Sequence, residues 1–237
     1  MIENPLSYIL IRPNVINPEG LQELVTHIKS SPAEDLSVFD PDKTNATGKT
    51  SWIVDKQTRD TQIVPMGPLY PKIEDLFRNT VKNIINPFYQ VEVDSSEIPQ
   101  VLSYGIGGHY RPHIDGRSLW IAPNGDRIWR RSTDRDLSCV FFLSTAGKDF
   151  DGGNFVFPDI GIEIPPKAGT LICFPSDQNY LHGVKKVERI LDGNGNPVGP
   201  NDRNGIGRFA IVTWMKVKGE QTKEEEDQEL LRRYGVN

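Results

Sequence analysis

Tyr104-Gly-Ile-Gly-Gly-His109-Tyr110-Arg-Pro-His113-Ile-Asp115 is the stretch on which the reading of this chain turns. On an extended strand, residues i and i+2 point to one face, so His113 and Asp115 can aim at a single ion. The chain has four histidines, so a third ligand has few sources. His27 sits in a segment with the apolar spacing of an amphipathic helix and reads as a helix-surface residue. His109 shares strand parity with His113 but lies roughly 13 Å along an extended strand, too far to share an ion. That leaves His182, in Leu181-His182-Gly183-Val184. Two imidazoles and one carboxylate on one side of a metal leave coordination positions open. The donor set suits Fe(II), Mn(II) or Zn(II), and the sequence does not choose among them. The pattern H-x-D is common by chance, and such a pair is more often a satisfied polar contact than a metal site.

Composition frames the rest. A length of 237 residues suits one sizeable domain with terminal decorations, expected as helices and supporting strands over 1–98, a core over 99–217 and a helix over 218–237. A net charge of −5 argues against nucleic-acid binding by bulk charge. No apolar run reaches the length of a membrane span, and no signal peptide is visible. Cys139 and Cys173 are isolated in apolar segments and read as reduced core residues, which makes cytoplasm the default compartment. Periodicity predicts helices over 18–30 and 70–85 and a charged helix over 220–234. Residues 40–62 read as a polar loop with a short strand around 52–54. From residue 99 the pattern becomes short apolar runs between Gly, Pro, Asn and Asp. Strands are expected at 100–104, 109–115, 137–143, 154–157, 160–164, 169–174, 180–187 and 208–217. Such spacing argues for a sandwich or barrel, with a double-sheet jelly roll as one closed solution. Asp192-Gly-Asn-Gly-Asn-Pro-Val-Gly resembles the start of a calcium loop, but Arg203 stands where the bidentate glutamate belongs.

Arg208 shares a strand face with Ala210, Val212 and Trp214. A charge pointing into a small apolar barrel is costly unless an anion meets it. A salt bridge to Asp or Glu, or an exposed strand start, would explain the arginine equally well alone. With the triad, it reads as the anchor for the distal carboxylate of a dicarboxylic cosubstrate, held in a two-point contact.

The opening stretch resembles the metal strand of the 2-oxoglutarate/Fe(II) dioxygenases of the prolyl 4-hydroxylase type, as do four later pieces in order. These are Cys139-Val-Phe-Phe-Leu-Ser144, Gly152-Gly-Asn-Phe-Val-Phe-Pro158, Phe174-Pro-Ser-Asp177 leading to His182-Gly-Val, and Gly207-Arg208-Phe-Ala-Ile-Val-Thr-Trp214. The resemblance implies a mainly β fold with flanking helices, a double-stranded β-helix or jelly roll. It implies Fe(II) on His113, Asp115 and His182, and 2-oxoglutarate held by Arg208 with Tyr104 lining its pocket. Ascorbate is an optional reductant. The implied reaction hydroxylates a substrate C–H, with peptidyl proline in a peptide or protein as the leading substrate, and decarboxylates 2-oxoglutarate to succinate and CO2.

This chain also departs from that family. Phe142 stands where several relatives carry a tyrosine that also binds the distal carboxylate. Thr213 or water is then a candidate second donor, although Thr213 has the wrong parity on a regular strand. The segment between His182 and Arg208 is longer than in relatives, and 116–136 is a second expansion. Tyr110, Trp214, Trp129 and Arg130 are the candidate substrate contacts. Residues 40–62 and 116–136 are expected to be mobile over the barrel mouth, with Trp52, Trp120 and Trp129 gripping peptide or merely pinning the loops. Two rivals stay open: oxidation of a free small molecule or nucleobase, and a non-enzymatic jelly-roll module that binds a metal or sugar.

Overall fold

The computed structural model describes residues 5–44, 50–199 and 205–235, with side chains described outside 38–53. The elements that position the site are, in chain order, β1 (Leu10–Arg12), α1 (Pro18–Ser30), β2 (Arg59–Asp60), β3 (Gln62–Val64), α2 (Tyr70–Thr80), β4 (Gln100–Tyr104), β5 (His109–His113), β6 (Arg117–Ile121), β7 (Arg127–Arg131), β8 (Leu137–Phe142), β9 (Phe155–Phe157), β10 (Ile162–Ile164), β11 (Leu171–Pro175), β12 (His182–Val184), β13 (Arg208–Val217) and α3 (Lys223–Tyr234).

β8 reads Leu-Ser-Cys-Val-Phe-Phe and is buried at every position. A run without polar alternation belongs in the middle of a sheet covered on both faces. That is where it lies, antiparallel between β11 and β13. The large sheet runs β1-β11-β8-β13-β4-β3, with Glu34–Asp35 beyond β3. The smaller sheet runs β10-β9-β12-β5-β2. Side chains alternate between the two faces of β8 and β13. Leu137, Cys139, Phe141, Phe209, Ile211 and Met215 pack with Leu24, Ile28, Ile73 and Phe77 of the helices. Phe142, Val140 and Ala210 face the smaller sheet, with Phe155, Phe157 and Val184. This two-sheet sandwich, backed by helices, is the expected jelly roll.

Local chemistry sets the helices. The Asn17 side chain accepts from the Gly20 N–H at 2.8 Å and Pro18 occupies the first turn, so α1 starts where the sequence places it. Ile73 and Phe77 bury one stripe of α2, and Phe77 meets Phe141 edge-on at 4.9 Å between centroids. Burying such a side chain contributes roughly 1.5–3 kcal/mol. The expected single helix over 70–85 changes to π geometry at Val81–Ile85. The two cysteines are free, buried and opposite each other on β8 and β11.

Two segments expected as loops contain paired strands, and the short strand expected around 52–54 is found at Thr50–Ile53. Residues 116–136 form the hairpin β6–β7, in register from Arg117↔Arg131 to Ile121↔Arg127. Helix α3 clamps it. Glu226 accepts from Arg117 at 3.0 Å and from the Arg131 N–H, Asp227 lies 3.9 Å from Arg130, and Trp120 meets the Tyr234 ring at 5.6 Å. Within 40–62, strand pair Val38–Thr44 and Thr50–Ile53 precedes β2 and β3, which join the two main sheets. The Trp52 side chain lies outside the described residues.

Asp136 joins hairpin, sheet and C-terminal strand. It accepts from Arg131, from the Val217 N–H at 2.8 Å and from Lys216 at 3.1 Å. Burial opposes its ionisation, but these three donors outweigh burial and hold the carboxyl below the ordinary aspartate value. A depressed folded value means that the stabilisation is full above the unfolded pKa and is lost as pH falls through the folded one. Asp136→Asn should therefore lower unfolding stability at neutral pH by about 3 kcal/mol and shrink the loss on acidification. Urea unfolding at neutral and acid pH measures both; an unchanged acid limb in the variant would remove Asp136 as the source.

Candidate active site

β5 and β12 pair antiparallel with His182 opposite His113, and the register shifts before Val184 meets Tyr110. Arg111 and Pro112 thus face Gly183 alone. Proline donates no ladder hydrogen bond, so a bulge at Pro112 sacrifices little. A Cβ on Gly183 would lie 2.9 Å from the Tyr110 carbonyl oxygen and 3.0 Å from Pro112 N, so only glycine fits opposite the bulge.

Asp115 lies just past the end of β5, not within it as expected. The strand stops because the chain dives between two carbonyls. Gly116 N–H donates to Ser176 O at 2.8 Å, and a Cβ there would sit 2.5 Å from Arg135 O. Asp115 still reaches both imidazoles. Its Oδ1 is 3.4 Å from His113 Nε2 and its Oδ2 is 3.3 Å from His182 Nε2. The three candidate ligand atoms lie within 4.8 Å of one another.

The surroundings set each donor's state. His113 Nδ1 faces the Arg111 carbonyl and His182 Nδ1 the Tyr180 carbonyl, each at 2.9 Å. Each Nδ1 therefore donates to its carbonyl, which turns Nε2 toward the Asp115 carboxylate, where a bound divalent ion would take the place of a shared proton. Burial, and then His182, push His113 below its ordinary value and hold it neutral. Burial alone would raise the Asp115 carboxyl, but His182 and His113 beside it pull it well below the ordinary range. Ser138 donates to Asp115 Oδ2 at 2.7 Å and contacts Ser176 Oγ at 2.7 Å. Sequence reasoning missed both serines. The available signal was a lone hydroxyl in the otherwise apolar β8. The donor set fits a divalent metal: two imidazoles that turn Nε2 inward, one carboxylate and an outer layer that orients them.

Arg208 is 1% exposed and points into the same cavity as the three candidate ligands. Its Nε donates to Gly153 O at 2.7 Å, and its guanidinium carbon lies 4.5 Å from the centre of the Tyr104 ring and 5.8 Å from that of Phe142. A Cβ on Gly153 would come within 2.9 Å of Arg208 Cδ. Burial lowers the Arg208 pKa, with Tyr104 opposing. No carboxylate pairs with it among the described residues, which disfavours the salt-bridge explanation and leaves a buried cation open to an anion.

Tyr110 stacks on His113, with centroids 3.6 Å apart and planes at 21°. Burial raises its hydroxyl pKa, so it stays a phenol. Trp214 lines the cavity beneath the Arg135 guanidinium, 3.7 Å from the ring centre. One expectation is corrected. Thr213 faces the helices and donates to Glu97 O at 2.7 Å, as strand parity requires, so it cannot reach a ligand beside Arg208. Arg130 turns to Asp227 and the Trp120 ring, and Trp129 sits half-exposed opposite Leu119; neither lines the cavity. His27 and His109 stay outside, facing the backbone carbonyls of Pro65 at 2.8 Å and Gly107 at 2.9 Å.

Comparison with known proteins agrees with this geometry. Residues 99–216 match the model of the 2OG-Fe(II) oxygenase superfamily. Prolyl 4-hydroxylase subunit alpha-1 of Gallus gallus is 34% identical over 110 residues, 44% of this chain and 20% of that protein. This chain thus spans about a fifth of that relative's length. A putative prolyl 4-hydroxylase of Acanthamoeba polyphaga mimivirus is 23% identical over 173 residues, 73% of this chain and 62% of the relative. In fold, the viral collagen prolyl hydroxylase of Paramecium Bursaria Chlorella virus-1 superposes with TM-score 0.55 at 16% identity, covering 89% of this chain and 97% of that one. A Trichoplax adhaerens prolyl hydroxylase, solved with a hypoxia inducible factor peptide, gives 0.56 at 16% identity, covering 94% of this chain and 87% of its own. Through residues 99–216, whose strands carry the His–Asp–His cluster and Arg208, the chain belongs to the 2OG-Fe(II) oxygenase superfamily.

Proposed function

We propose that this protein hydroxylates peptidyl proline, binding Fe(II) through His113 Nε2, the Asp115 carboxylate and His182 Nε2, and docking the distal carboxylate of 2-oxoglutarate on Arg208. One observation carries the reading: a fully buried guanidinium without a carboxylate partner opens into the cavity that also holds the three metal donors. Tyr104 lies against that guanidinium and offers the hydroxyl that Phe142 lacks. When bound, iron and 2-oxoglutarate supply the redox chemistry, decarboxylation to succinate and CO2 coupled to hydroxylation. The protein orients, neutralises charge and excludes water. Phe155 stacks on His182 with planes at 16°, and Phe174 meets the same ring edge-on at 4.7 Å, so apolar rings wall one side of the site. Tyr110 and Trp214 are the aromatic surfaces offered to a substrate. A prolyl target is supported by the prolyl hydroxylases among its relatives and fold neighbours. No described helix is long and apolar enough to cross a membrane. The two facing free thiols favour a reducing compartment such as cytoplasm.

Incubation with Fe(II), 2-oxoglutarate, O2 and ascorbate should release succinate and add one oxygen to proline-containing peptides. Arg208→Ala should raise the 2-oxoglutarate KM by roughly a hundredfold while metal affinity stays nearly constant, because a charge-assisted two-point contact is lost. Absence of succinate under every condition would leave a binding module instead.

The outer layer has its own test. Ser138→Ala should weaken divalent-metal affinity by roughly ten- to a hundredfold, read by calorimetry, and His182→Ala should abolish specific binding. Full affinity in Ser138→Ala would show that Asp115 needs no support from β8.

A further inference from the structure

The cavity holds a second buried cation that the proposed chemistry does not use. Arg59 lies on β2, opposite Tyr110 of β5, and is 8% exposed. Its guanidinium carbon sits 4.4 Å from the centre of the Tyr110 ring, the ring that stacks on His113. It lines the same cavity as the metal donors and Arg208. Its Nε is buried with no hydrogen-bond partner. The neighbouring acids are engaged elsewhere: Asp60 lies 3.6 Å from Lys56, and Asp55 accepts from Thr58 at 2.9 Å. Contact with a ring face offsets only part of the cost of burying the charge.

Formal charge points the same way. A divalent metal and two arginines bring four positive charges to the cavity. Asp115 and a doubly ionised 2-oxoglutarate bring three negative ones. The residual positive charge lies at Arg59, one aromatic ring from the metal ligand His113. We infer that Arg59 receives a carboxylate of the substrate and so selects an acid-bearing target beside the carbon to be oxidised. This deepens the proposed function and rests on it. The carboxylate could belong to a peptide C-terminus, an acidic side chain next to the target or a free amino acid. A neutral carbonyl would leave the charge uncompensated.

The test uses the full chain loaded with Zn(II) and saturating 2-oxoglutarate, which occupies Arg208. Trp214 in the same cavity reports binding by fluorescence. The probes are acetyl-alanyl-proline with a free C-terminus, its C-terminal amide, an amide-capped glutamyl-proline and free L-proline. At least one carboxylate probe should bind about tenfold or more tightly than the neutral amide. Whichever probe does so identifies the source of the carboxylate. Arg59→Gln should erase the preference and Arg59→Lys should keep part of it. Equal binding of carboxylate and amide to the unaltered protein overturns the inference, and so does no carboxylate binding at millimolar concentration. A preference that survives in Arg59→Gln overturns it too, leaving Arg59 as a structural pin on Tyr110. If Arg59→Gln does not fold, the unaltered protein and Arg59→Lys decide. Succinate release from 2-oxoglutarate, measured on the same Fe(II)-loaded preparation, separates the two readings: its absence removes the proposed function, whereas its presence beside equal probe binding removes only the role of Arg59.

Discussion

The register that sets His182 opposite His113 is the constraint on which the rest of the site depends. Side chains on a strand alternate faces, so a slip of one residue would turn His182 out of the cavity. Three features fix the register. Gly183 is the only residue type that fits against the Tyr110 carbonyl, Pro112 places the bulge where a donor is already missing, and Val184 packs into the inner core. β12 is only three residues long, so its placement comes from these contacts more than from its ladder.

The candidate metal donors come from the smaller sheet or just beyond it, but their support comes from the larger one. Ser138 of β8 holds Asp115, and Ser176, just past β11, holds Ser138 and Gly116. Sheet-on-sheet packing is therefore transmitted to the ligand geometry through two hydroxyls. Those hydroxyls interrupt an apolar interface, and they are satisfied by each other and by the carboxylate, so their burial is tolerable.

Much of this was legible in the sequence because the signals were local. β8, β13 and α1 are set by runs, alternation and capping that lie within each segment. Thr213 was legible too: its parity on β13 already placed it away from the cavity. The hairpin β6–β7 was not legible, because its strands carry Arg117, Arg127, Arg130 and Arg131 and read as a solvated loop. The partners of Arg117 and Arg130, Glu226 and Asp227, lie about a hundred residues downstream on a helix whose acidic run also read as a solvated face. Arg59 was hidden for a related reason. A two-residue strand has no periodicity to read, and only its pairing with Tyr110 brings it to the cavity.

The two buried arginines differ in how the fold treats them. Arg208 has its Nε satisfied by the Gly153 carbonyl and its glycine neighbour cleared of side chain, so the structure both seats the residue and leaves its fork free. Arg59 has a buried Nε with no partner, and leaving such a donor unmade costs on the order of 1–3 kcal/mol in the ligand-free fold. A core optimised for stability alone would replace it with an apolar side chain on Tyr110. Its presence beside the metal donors places local instability where a ligand would relieve it. The same logic applies to both residues at different depths. Each is a cation set in a low-dielectric wall, and each is fully compensated only when an anion enters between the sheets.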